Sequence, residues 1–209
     1  MSLSFAEASA IMARGGCLVY PTETLYAVGA DGRDAGAAAR IYQFKSRDVD
    51  KPLPLILGDV GQLSLVTDLS DPDLERLARA FWPGPLSVLV PALKELPALV
   101  HDRRGLTSVR VTPHPLAARL ALDCCAPLIA TSANISGRPA VADPRLLDLE
   151  LTSQVDGVLA EKPWPSGGLP STVVGLEGQG RLTVYRQGAV SLAALRRAGF
   201  MPESLSPMV

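Results

Sequence analysis

Several short stretches of this chain carry side chains able to grip an anion or a small polar molecule. Lys45, Arg47 and Lys51 close an apolar helical pattern. Cations two residues apart share a face only on extended backbone. If the helix stops at Lys45, Lys45 and Arg47 converge on one anion, and arginine offers a fork matched to phosphate oxygens. The plainer alternative is that cations at a helix C-terminus complement its dipole. Ser132-Ala133-Asn134 follows the apolar run 127–131. Ligands of open α/β sheets gather at the carboxyl ends of strands, where a hydroxyl and an amide two residues apart can point into one crevice. Such residues also build ordinary turns. Ser136-Gly137-Arg138-Pro139 adds a sharp loop and one more cation. Thr22 and Thr24, within Tyr20-Pro21-Thr22-Glu23-Thr24, end another apolar run and face the same way if extended. Ser171-Thr172, after Ser166-Gly167-Gly168-Leu169-Pro170, is similar.

Other chemistries lack their residues. There is no G-x-x-x-x-G-K-[ST], no strand-linked G-x-G-x-x-G, no H-E-x-x-H and no G-x-S-x-G. Gly175, Gly178 and Gly180 read as a hairpin turn. His101 and His114 sit in loop-like contexts without a paired cysteine or carboxylate, which suits exposed or structural roles. Cys17, Cys124 and Cys125 are odd in number and lack framework spacing, as expected of reduced thiols. No C-x-x-C suggests zinc, so no protein-held metal is expected.

The elements that must position these residues come from a chain of 209 residues, 47% hydrophobic and 20% charged, which suits one domain with a buried core. Its 20 Lys+Arg against 21 Asp+Glu argue against a dedicated nucleic-acid binder, which carries a basic excess. The N-terminus lacks a basic start followed by an apolar stretch, and no apolar run is long enough to span a bilayer, so a cytoplasmic protein without membrane contact is expected. Ser4 and Glu7 have capping-box spacing before a helix that ends near Gly15. Strands are expected at 17–20, 53–57, 86–90, 106–111, 127–131, 157–160, 172–174 and 182–185. Helices are expected from Asp34, over 59–66, from Ser70, over 115–124, from Asp143-Pro144 and over 191–198. Trp82-Pro83-Gly84-Pro85 can only turn. This alternation predicts an α/β layer structure around a mixed sheet, one domain over 1–200 and a short tail over 201–209 that frays.

Taken together, YPTETLYAVGAD (20–31), KSRDVDKPL (45–53), FWPGPLSVLVPA (81–92), SVRVTPHP (108–115), PLIATSANISGRP (127–139), PSTVV (170–174) and YRQG (185–188) resemble the YrdC family of threonylcarbamoyl-adenylate synthases, in the family's order. The resemblance implies a twisted open α/β fold with a basic concave cleft. It implies an enzyme joining L-threonine, bicarbonate and ATP into threonylcarbamoyl-adenylate with release of pyrophosphate. Magnesium accompanies ATP, no organic prosthetic group is implied, and partner proteins transfer the product group to tRNA. Carried over by motif, Lys45 and Arg47 match K-x-R, and Ser132 and Asn134 match S-x-N, for nucleotide and phosphate. Thr24 and Arg110 match positions holding threonine. Lys51, Ser171 and Arg186 match further contacts, Ser171 toward threonine and the two cations toward the nucleotide.

The chain departs from the family pattern at Ala27 (usually Gly), Asp48 (often Pro), Ile56 (His in many longer members) and Gly175 (commonly an acid). Two alternatives accompany the reading. One is a YrdC-like module that binds RNA weakly through a local basic face. The other is a paralogue with a different acceptor amino acid.

Overall fold

The computed structural model of the protein describes residues 2–45 and 51–204. After a short strand β1 (Ser2–Leu3), Ser4 and Glu7 cap each other reciprocally, with the Ser4 amide 2.8 Å from the Glu7 carboxylate. They open helix α1 (Phe5–Met12), which buries Phe5, Ala8 and Met12. Strands β2 (Leu18–Pro21) and β3 (Tyr26–Gly29) form an antiparallel hairpin buried along its whole length. β3 lies outside the predicted strands because, buried on both faces, it shows no polar–apolar alternation.

Asp34 then accepts the Gly36 and Ala37 amides and starts α2 (Ala35–Lys45). β4 (Leu55–Leu57) and a 3-10 turn over Val60–Leu65 capped by Asp59 lead to α3 (Pro72–Phe81). The cap of α3 is Asp71 rather than Ser70, since Pro72 takes the first helical position and holds the residue before it extended. β5 (Leu86–Pro91), β6 (Leu106–Val111) and α4 (Pro115–Asp123) follow as expected.

The apolar run expected as one strand is two: β7 (Leu128–Ile129) and β8 (Thr131–Ser132). The helix expected at Asp143-Pro144 is a single 3-10 turn, Pro144–Leu146, followed by a short α5 (Leu149–Thr152). The rest is β9 (Gly157–Leu159), β10 (Thr172–Leu176), β11 (Arg181–Arg186), α6 (Leu192–Arg197) and β12 (Met201–Ser204). Gly178 and Gly180 take positive φ in the β10–β11 hairpin, the plain turn the spacing suggested. The segment past Gly199, expected to fray, instead buries Phe200 and lays β12 parallel along β11, so over Met201–Ser204 it belongs to the sheet.

The strands form two mixed sheets, β1-β9-β2-β3-β8 and β12-β11-β10-β5-β6-β4-β7. The split of the 128–132 run is the reason its two halves serve different sheets. β7 pairs with β4, while β8 pairs with β3. Gly29 permits the crossing: a Cβ there would stand 1.7 Å from the Ile129 carbonyl oxygen. The larger apolar cluster joins α2, α3 and α6 to the seven-stranded sheet through Ile41, Leu77, Leu195, Val88 and Val109. A second cluster joins α1 and α4 to β2 through Phe5, Met12, Leu120, Leu18 and Tyr20.

Candidate active site

The sheet crossing delivers Ser132 to a cavity of about 580 Å³ whose wall also includes Thr24, Arg110, Ser171 and Arg186. Strands and the loops between them bring these residues together. On β6, Val109 points into the core while Ser108 and Arg110 share the opposite face and line the cavity. On β5 and β10, Ser87 and Val173 are register partners and both line it. Thr24 comes from the β2–β3 turn, close beyond the end of β2. The segments that looked separately unremarkable therefore meet at one place.

At one end of this wall Arg110, only 7% exposed in its side chain, donates through Nε to Glu23 Oε1 at 2.7 Å. Thr112 donates its hydroxyl to the other carboxylate oxygen at 2.8 Å. Burial pushes the Glu23 carboxyl up, but the Arg110 charge and the hydrogen bonds from Arg110, the backbone and Thr112 outweigh it and hold Glu23 below the usual carboxylate range. The Thr112 hydroxyl in turn accepts the His114 amide, and His114 Nε2 lies 3.0 Å from the Pro163 carbonyl oxygen. Burial lowers the His114 pKa, with the Pro163 hydrogen bond and Glu23 opposing. His114 is thus structural, one of the two roles its context allowed. The loop that starts at Pro163 crosses back to the cavity: Ser166 donates its amide to the Glu23 carbonyl at 3.2 Å and Gly167 to that of Thr24 at 2.9 Å. It carries Gly168, Pro170 and Ser171 into the wall.

At the other end Lys45 is buried, and its ammonium donates to the Ser132 carbonyl, to the Asn134 carbonyl at 2.6 Å and to Asn134 Oδ1 at 3.4 Å. The Ser132 hydroxyl also bonds Asn134 Oδ1, and the Asn134 amide group donates to the Ile135 and Arg138 carbonyls. Helix α2 therefore ties the Lys45 stretch to the Ser132–Asn134 loop by side-chain bonds. Lys45 and Asn134 stand behind the wall rather than in it. Arg186 donates to the Ser171 carbonyl and hydroxyl, both at 3.0 Å, and Ser87 donates to the same hydroxyl at 3.2 Å. Lys51 is exposed, and its neighbours Pro52 and Pro54 line the cavity instead. Arg47 and Asp48 lie outside the described residues.

Sequence reasoning passed over Glu23, Thr112, Ser87 and Ser108. Glu23 falls between the two threonines that alternation singles out. The available signal was that a carboxylate at the end of a buried strand requires a counter-cation. Of the departures, Ala27 lines the cavity, whereas Ile56 is fully buried in the second apolar cluster and does not. Gly175 lies under the Tyr185 ring, 2.9 Å from where its Cβ would be. None of the three thiols lines the cavity, and burial pushes Cys17 and Cys124 up to about 11, so neither is a nucleophile near neutral pH. Among the described residues no group of three His, Cys, Asp or Glu could hold a metal ion, and no helix is long and apolar enough to cross a membrane.

The Sua5–YciO–YrdC family model, described as telomere recombination, matches residues 10–188. A threonylcarbamoyl-AMP synthase of Coxiella burnetii is 35% identical over 158 residues, covering 75% of this chain and 84% of that protein. One from Pseudomonas paraeruginosa is 39% identical over 153 residues, 73% of this chain and 82% of its own. The crystal structure of P. abyssi Sua5 complexed with L-threonine superposes with a TM-score of 0.85 at 26% identity, over 95% of this chain. This chain spans only 58% of that longer Sua5 protein. With a family model across most of its length and relatives above a third identical, the chain belongs to the Sua5–YciO–YrdC family.

Proposed function

We propose that this protein is an L-threonylcarbamoyladenylate synthase, a nucleotidyltransferase that joins L-threonine, bicarbonate and ATP and releases pyrophosphate. The observation that carries the reading is the convergence of Thr24, Arg110, Ser132, Ser171 and Arg186, from five separate segments, on one cavity of about 580 Å³. Small-molecule sites occupy about 300–1,000 Å³. The names of the curated relatives and the threonine-bound Sua5 structure point the same way.

In this reading Arg110 takes the threonine carboxylate through its Nη groups, and Thr24, with Ser171 beside it, takes the threonine hydroxyl. The Lys45–Arg47 stretch, Lys51, Ser132, Asn134 and Arg186 serve the nucleotide and its phosphates. The amine of threonine attacks the bicarbonate carbon, the C–N bond forms, a C–O bond breaks and water leaves, giving the carbamate. An oxygen of the resulting carbamate attacks the α-phosphorus of ATP, and the bond to the β-phosphate oxygen breaks, so pyrophosphate leaves. Charge builds on phosphate oxygens, and no protein nucleophile is required; positioned donors and fixed positive charge suffice. Magnesium would accompany ATP as the MgATP substrate. No organic prosthetic group has a part in these steps. The product would be handed to tRNA-modifying transfer proteins in the cytoplasm.

The test is pyrophosphate release with each substrate omitted in turn. Dependence on both L-threonine and bicarbonate supports the reading; equal rates without threonine overturn it. Faster release with another amino acid would assign the paralogue instead, with Ala27 the departure closest to the substrate. RNA binding without any such release would favour the weak RNA-binding module.

A further inference from the structure

Arg110 has five N–H donors, and how they are shared decides what it can hold. Its Nε goes to Glu23 Oε1, and among the described residues neither Nη group meets an acceptor, though the side chain lines the cavity. A carboxylate that bonded both Nη groups end-on would use up the fork. Glu23 binds from the side and leaves it open. Glu23 is itself prevented from turning, because Thr112 holds its second oxygen from a position outside the cavity wall. The same residue docks the 163–170 loop through its own carbonyl, with Thr24 taking the next amide.

We propose that Glu23 is the positioning residue of the amino-acid end of the site, fixing the Arg110 fork toward the cavity and seating the loop that brings Ser171 to it. This rests on the proposed assignment of Arg110 to the threonine carboxylate. Glu23 does not touch substrate. It lowers the cost of ordering Arg110, so its removal weakens threonine binding while leaving the nucleotide end alone.

Three variants test this: Glu23→Gln, which keeps the shape and one acceptor oxygen; Glu23→Asp, which keeps the charge but shortens the reach; and Thr112→Val, which frees the carboxylate without entering the cavity. Steady-state pyrophosphate release should show the KM for L-threonine raised about tenfold or more in Glu23→Gln, and a few-fold in Thr112→Val, with the KM for ATP and the ATP-induced melting shift unchanged. Glu23→Asp should fall between Glu23→Gln and the parent. A merely structural role would lower the melting temperature and leave both KM values of the folded protein alone, which would overturn the proposal. Equal rises in both KM values would overturn it too.

A second readout needs no substrate. In the parent protein one arginine Nε–H resonance, assigned by its loss in Arg110→Lys, should be protected from exchange, and Glu23→Gln should remove that protection. Persistence of the protected signal in Glu23→Gln would refute the geometry. Loss of protection in a protein that never uses threonine would keep the geometry and overturn only the functional reading.

Discussion

The two ends of the cavity fasten their cations differently. At the end proposed for the amino acid, Arg110 is gripped by the Glu23 carboxylate, itself gripped by Thr112. At the end proposed for the nucleotide, the Lys45 ammonium bonds, among other partners, oxygens of the Ser132–Asn134 loop. The first arrangement presets the direction of a cation before any ligand arrives. In the second the cation sets the shape of a loop, and the loop brings Ser132 to the cavity wall. A single sheet crossing permits both, because the chain leaves the seven-stranded sheet that carries Arg110 at the end of β7 and pairs with β3 as β8.

The contrast breaks most sharply if Arg110 is removed. Arg110→Ala leaves Glu23 buried without its counter-charge, which should cost about 3–5 kcal/mol of stability. Turnover with saturating ATP should fall by about 10²–10³-fold, the scale of losing one preorganised charged donor. Adding Glu23→Ala to Arg110→Ala should recover much of the stability and none of the turnover. Urea unfolding and pyrophosphate release on both proteins check this, and recovered turnover in the double variant would remove Arg110 from the site.

Lys45→Met should cost less stability, about 1–3 kcal/mol, on the scale of orphaning the Ser132 and Asn134 carbonyls. Its signature should lie on ATP: a reduced ATP-induced melting shift, and turnover down by about 10²-fold, with the KM for threonine intact. A full ATP shift in this variant would reduce Lys45 to decoration of the end of α2. A smaller effect is expected from Ser132→Ala, which removes one neutral donor: a loss of about tenfold in kcat/KM for ATP, measured at fixed threonine, with no change in the unfolding midpoint. A loss that instead fell on threonine would mean the two ends are not separate.

Much of this arrangement was legible in the residues. The caps Ser4, Asp34 and Asp59 mark where helical segments begin, and β6 was readable to the residue, because each states its physics locally. Ser132 stands where the apolar run ends, as β8 does, whereas Thr24 lies in the β2–β3 turn and was matched to threonine by the motif alone. What stayed hidden is what depends on distant partners. The run 128–132 reads as one strand until the sheets it serves are known, and the tail after Gly199 reads as frayed until β11 offers it an edge. Glu23 looked like a turn residue because its two partners lie 87 and 89 positions away. The family motifs gave the constellation, and Glu23 and Thr112, which aim it, stand inside those motifs with no spacing signal of their own.

The smallest expected effect separates the two ends by pH. His114 is buried, and Nε2 faces the Pro163 carbonyl while Nδ1 meets no hydrogen-bond partner among the described residues. Its pKa is depressed by burial, so the fold favours the neutral ring. Above the ordinary histidine value of about 6.5 both folded and unfolded chains are neutral there, and the stabilisation is complete. As pH falls below that value the unfolded chain takes up a proton that the fold refuses, and stability declines until the folded pKa is passed. Glu23 is depressed too, but from the ordinary carboxylate range, so its contribution is lost only at lower pH. Between about pH 6.5 and 5 the slope of melting temperature against pH should therefore come largely from His114. His114→Gln, which can still donate to Pro163 and does not titrate, should flatten that slope. Because Pro163 begins the loop seated on Glu23 and Thr24, threonine affinity of the parent should hold level while the folded ring stays neutral and weaken only as pH falls through the folded pKa, with ATP affinity not following it. An unchanged slope in His114→Gln, or ATP and threonine affinities that weaken together, would show that the histidine does not anchor the amino-acid end.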